Sequence, residues 1–220
     1  MARTRRAAAD LRSPGAADAY PEPVGTRADQ DTIPESFLRA CESLRAVRLR
    51  PEVVVEETPA PQRLAPHAVA MTADVLRGDE ELGTGRFVLL HDPSGHETWN
   101  GTFRVVTFAR APLESELAHD PMLGSVGWSW LEDALAARDV RYLAPSGTVT
   151  RVASESFGSM ADRGPAAELE IRASWTAEDS RLGPHLEAWA DLLCTAAGLP
   201  PPIGGVFAIA QPRQGSRRVR

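Results

Sequence analysis

Residues 87–110 read FVLLHDPSGHETWNGTFRVVTFAR, and this stretch decides the fold. Residues 87–90 are apolar on both faces and 103–109 nearly so, which suits strands buried in the middle of a sheet. Between them Asp92, Pro93, Ser94 and Gly95 have the preferences of a type I turn, with Asp first, Pro second and Gly fourth. Strands joined by a short turn pair antiparallel, so the stretch reads as a central hairpin.

On the N-terminal side, Pro34 suits the first position of a helix. Phe37, Leu38, Cys41, Leu44 and Val47 then recur at spacings of three and four to about Arg48, and Pro51 ends the run. Val53, Val54 and Val55 form a short β-branched strand. Residues 67–75 place His67, Val69, Met71, Ala73 and Val75 on one face of another. The segment 78–85, GDEELGTG, reads as a polar loop.

On the C-terminal side, residues 113–119 read as a short turn or helix. From Ser125 a helix aligns Trp128, Leu131 and Leu135. A strand follows near 148–157. Leu169, Ile171, Ala173 and Trp175 then alternate with Glu168, Glu170, Arg172 and Ser174, a strand with one wet face. The last helix opens near Pro184, with His185 solvated in its first turn, and carries Leu186, Trp189, Leu192 and Leu193.

The order α-β-β-β-β-α-β-β-α predicts an α+β fold, a single mainly antiparallel sheet with helices packed on one face. It resembles the order of the secretion-chaperone-like fold, with the short strand at Val53 added. The chain divides into a disordered N-terminal tail at 1–32, one domain at 33–203 and a basic flexible tail at 204–220.

All 24 basic residues of this 220-residue chain are Arg, so mechanisms that need a lysine amine have no residue to perform them. Five of those arginines lie in 1–32 and four in 204–220. Residues 33–203 keep 15 against 25 acids, a net charge of −10. A domain that acidic repels a phosphate backbone, and no nucleic-acid binding is expected of it. No apolar run reaches membrane-spanning length, so a soluble cytoplasmic protein is expected. Cys41 and Cys194 read as buried free thiols.

The hairpin is the most chemical-looking segment. His91 and His96 would face each other across the turn, and with Asp92 or Glu97 they could chelate a metal or perform acid–base chemistry. No specific metal spacing is present, and no cofactor is expected. Arg104 and Arg110 share a strand face with Val106 and Phe108, and each needs a partner such as Glu97 or Glu170, or an anionic ligand. Trp128, Trp175 and Trp189 fall on core faces; Trp99, if exposed, is a candidate anchor for a partner. Nucleophile-elbow, Walker and dinucleotide-loop motifs are absent.

At 91–111 (HDPSGHETWNGTFRVVTFARA), 127–135 (GWSWLEDAL) and 185–202 (HLEAWADLLCTAAGLPPP) the chain resembles an uncharacterised actinobacterial family, number three thousand among the domains of unknown function. The resemblance spans about residues 34–202 and implies no activity, cofactor or site residue. Two expectations follow from the residues themselves. One is a non-catalytic binding or adaptor protein that holds a protein partner, with basic or disordered segments as clients. The other is a small enzyme or metal-binding protein with its site at His91, Asp92, His96, Glu97 and Arg104.

Overall fold

Both strands of the hairpin extend well past their apolar centres in the computed structural model, which describes residues 33–200. The tails expected at 1–32 and 204–220 lie outside the described residues. The elements are α1 (Glu35–Arg45), β1 (Val53–Thr58), β2 (His67–Arg77), β3 (Glu80–His96), β4 (Gly101–Leu113), α2 (Leu123–Ala137), β5 (Tyr142–Ser154), β6 (Ala166–Ala177) and α3 (Gly183–Ala196). This is the predicted order. The strands form one antiparallel sheet in the order β1-β2-β3-β4-β6-β5, with the 87–110 hairpin at its centre.

The period-2 patterns point one side chain in two at the helices. Val69, Met71, Phe87, Leu89, Val105, Leu169, Ile171 and Trp175 form one core with Phe37 and Leu44 of α1, Leu131 and Leu135 of α2, and Leu186, Trp189 and Leu193 of α3. Trp175 and Trp189 are fully buried, whereas Trp128 is only half-buried, its indole N–H donating to Glu132 at 3.0 Å.

Several expected boundaries move for physical reasons. Residues 80–85 are strand, and the loop shrinks to a two-residue turn at Gly78 and Asp79, with Gly78 at φ +66°. Gly83 and Gly85 do not break the strand because they sit beneath α3. A Cβ at Gly85 would lie 2.6 Å from Trp189 Cζ2 and 2.8 Å from the Phe108 carbonyl, and the Trp189 indole donates to that carbonyl at 3.1 Å. Close packing, and not a loop, explains these glycines. Helix α1 ends at Arg45 instead of Arg48, and β5 begins at Tyr142, earlier than its apolar residues announce.

His185 is not solvated. It is 3% exposed, and its Nδ1 accepts the Trp175 indole N–H at 2.8 Å. Indole only donates, so this nitrogen carries no proton. Burial pushes the ring's pKa down to about 4, against a weaker pull upward from Asp179. Between about 6.5 and about 4 the unfolded chain therefore binds a proton that the folded chain does not. Stability from this group should be complete above that window and fall by about 3 kcal/mol as pH drops through it. Urea denaturation across pH 7 to 4 should show the loss, and His185→Gln should flatten it.

Candidate functional site

Helices cover one face of the sheet; the other is built from the remaining half of each alternation. The register aligns Ala70, Val88, Val106, Ser174 and Ser146 in one row across β2, β3, β4, β6 and β5. The row on one side holds Arg86, Phe108, Arg172 and Thr148; the row on the other holds Leu90, Arg104 and Thr176. The connection between β1 and β2 and the Trp99 ring cover one end, packing Ala60, Ala65 and Trp99 on a small second core of Ala70, Val88 and Leu90. Arg86 ties the connection down by donating to the Pro59 carbonyl at 3.1 Å.

Beyond that cover the face opens into a groove of about 680 Å³. Val88, Val106 and Phe108 make its floor, Arg86 and Arg172 flank it, and Ser146 and Ser174 close one end. Val106 is 38% exposed although it sits mid-strand in the centre of the sheet. The Arg172 guanidinium lies 5.0 Å from the Phe108 ring centroid and pairs with Glu170 at 2.5 Å.

Arg104 stands behind the serine end. It is 8% exposed, and its expected acidic partner is absent among the described residues. Its Nη1 donates to the Ala144 carbonyl at 2.9 Å and to Thr176 Oγ1 at 3.1 Å. Nη2 donates to Ser174 Oγ at 2.7 Å and to Ser146 Oγ at 3.1 Å. Burial lowers its pKa, yet a guanidinium stays charged. The Ala144 carbonyl reaches it because the β5 register slips between Leu143 and Ser146, with Ala144 at φ +47°. Arg110 does pair with an acid, donating from Nε to Glu168 at 2.9 Å.

The five residues expected to form an enzyme site do not converge. His91 sits opposite Phe103, and the register slips before His96 meets Gly101, so residues 92–95 bulge out and the hairpin turns at Glu97–Trp99 and Asn100. The two His cannot face each other across that bulge. His91 is buried on the helix face, and Arg104 points to the opposite face. Asp92 instead accepts the Ser94 backbone N–H at 3.0 Å, and its bonds from Ser94 hold the carboxyl below its usual range. Glu97 and His96 are exposed, and the His96 ring stacks on half-buried Trp99 at 4.6 Å. No group of three or more His, Cys, Asp or Glu is placed to hold a metal ion among the described residues.

His91 has partners that the sequence does not announce. Its ring stacks on Phe103 at 4.1 Å and faces His67, its cross-strand neighbour, at 6.1 Å. Nδ1–H donates to the Thr102 carbonyl at 3.0 Å, which leaves Nε2 to accept the Ser36 hydroxyl at 3.1 Å. Burial lowers its pKa, favouring this neutral form. The groove residues Arg86, Ser146 and Ser174, and Thr176 beside Arg104, are likewise not marked by any motif. The wet-face alternation of β6 is the available signal for Ser174, and Pro145, a residue confined to strand edges and bulges, is the signal for the slip that brings Ser146 in.

A family model described as protein of unknown function (DUF3000) matches residues 33–207, so the chain belongs to that family. No curated protein and no solved structure matches it.

Replacing Arg104 with Met would leave a carbonyl and three hydroxyls without their donor. Urea denaturation should show a loss of about 1–3 kcal/mol. His96→Ala, at the exposed hairpin mouth, should change stability by less than about 0.5 kcal/mol.

Proposed function

We propose that the chain is a non-catalytic binding protein of the cytoplasm whose ligand lies in the groove on the open face of its sheet. The observation that carries this reading is the apolar floor of Val88, Val106 and Phe108 at the centre of the fold, where Val106 is exposed and Phe108 half-buried. Its volume falls in the range of small-molecule sites, about 300–1,000 Å³. A protein client remains the broader form of the same reading. The net charge of the domain favours basic clients, but the groove is flanked by Arg86 and Arg172 and no acid lines it, so local charge favours an anionic one. The buried free thiols of Cys41 and Cys194 suit a reducing compartment. No described helix is long and apolar enough to cross a membrane.

The Ser36–His91–Thr102 chain favours a second reading, a hydrolase with Ser36 as nucleophile and His91 as base. It has the hydrogen-bond order of such a site, although the groove lies on the other face of the sheet.

Nile red, a neutral apolar dye, should bind the full chain saturably, and Val106→Glu should weaken it at least about tenfold by burying a carboxylate against the floor. Absence of saturable binding would remove the groove reading. A fluorophosphonate probe should leave Ser36 unlabelled; stoichiometric labelling abolished by Ser36→Ala would establish the hydrolase instead.

A further inference from the structure

The Arg104 guanidinium is buried, and each of its four acceptors, the Ala144 carbonyl and the hydroxyls of Thr176, Ser146 and Ser174, is uncharged. Neutral dipoles satisfy its four Nη hydrogens without supplying a counter-charge, and a buried charge is costly until one arrives. The other charges on this face are differently placed. Arg172 is held by Glu170 and Arg110 by Glu168, so the two carboxylates that β6 contributes are taken. Arg86 is only half-buried and donates to the Pro59 carbonyl, so solvent screens its charge. It stands in the row of Phe108, about 13 Å along the strand from Arg104.

The hydroxyl protons show where the missing charge belongs. Ser146 Oγ and Ser174 Oγ both accept from Arg104, so their protons point away from it. The two oxygens are 3.2 Å apart, so one donates to the other. One O–H therefore remains, and both serines line the end of the groove. This leaves one free donor, one uncompensated positive charge behind it and an apolar floor in front.

We infer that the groove takes an amphipathic organic monocarboxylate, its carboxylate at the Ser146–Ser174 hydroxyls before Arg104 and its apolar body along Val106 and Phe108. This rests on the groove being the binding site, as proposed above. A monoanion matches the one buried charge that no carboxylate faces, and the single donor. A multiply charged, fully polar anion such as phosphate would leave the apolar floor uncovered.

Isothermal titration calorimetry of the full chain with decanoate, decan-1-ol and inorganic phosphate tests it. Decanoate should bind at one site at least about tenfold more tightly than decanol, the difference between a charge-assisted and a neutral hydrogen bond, and phosphate should neither bind nor compete. Ser174→Asp would place a carboxylate on Arg104 permanently. It should raise the melting temperature and abolish the preference for decanoate while decanol still binds. Arg104→Gln should also equalise the two ligands, and Ser174→Asp keeps the test decisive if that variant does not fold. Equal binding of decanoate and decanol, both weakened by Val106→Glu, would overturn the carboxylate and leave the groove reading standing. Competition by phosphate, or a lowered melting temperature for Ser174→Asp with decanoate binding intact, would likewise overturn it. Binding of neither alkyl ligand would overturn both readings, as would a dimer in light scattering that Val106→Glu dissolves.

Discussion

A six-stranded sheet has two faces, and among the described residues helices cover only one of them. That constraint organises everything else. The strands at the centre are apolar on both sides, so packing α1, α2 and α3 against Phe87, Leu89 and Trp175 leaves Val88, Val106 and Phe108 on a side that no helix reaches. The β1–β2 connection and Trp99 shield part of that side. What they leave bare is a recess with an apolar base and basic flanks, a composition that neither a solvated sheet face nor a sealed core requires.

The polar end of that recess shows how a charge is kept inside a sheet without a salt bridge. Position 104 faces the open side with Leu90, and the neighbouring strand β6 meets it with Ser174 and Thr176, two hydroxyls at period-2 spacing. β5 completes the set only by breaking its register, which brings both the Ala144 carbonyl and Ser146 within reach. Two strands thus spend side chains and backbone on one guanidinium. Polar satisfaction fixes its position without neutralising it.

The order of elements and the antiparallel sense of the sheet were legible because they rest on local periodicity and short turns, whereas the β4–β6 pairing, across α2 and β5, was not. The alternation through Leu169, Ile171, Ala173 and Trp175 names its buried face, and the helix spacing of Phe37, Cys41 and Leu44 does the same, although Leu38 of that run is exposed and Ala40 is buried in its stead. What failed depended on distant partners. Gly83 and Gly85 resemble loop residues until Trp189 is laid over them. His185 looks solvated until Trp175 supplies its donor. The His91–His96 pairing failed because a four-residue bulge intervenes, and His91 meets His67 instead. Arg104 stands out in the sequence as a charge on an apolar strand, but its partners come from residues 40 to 72 positions away, beyond any spacing rule.

The place of β5 gives the recess a dynamic character. β5 lies at the edge of the sheet, with β6 the one strand it pairs with among the described residues, and is exposed along most of its length. Edge strands open more readily than central ones. When this one lifts away, Arg104 loses two of its four acceptors to solvent at once. A molecule seated before Ser146 and Ser174 would touch β5 as well as β6, so its presence would disfavour opening of that edge. The amides of residues 146–150 would then report on filling of the recess through slower exchange with solvent, without themselves forming its floor.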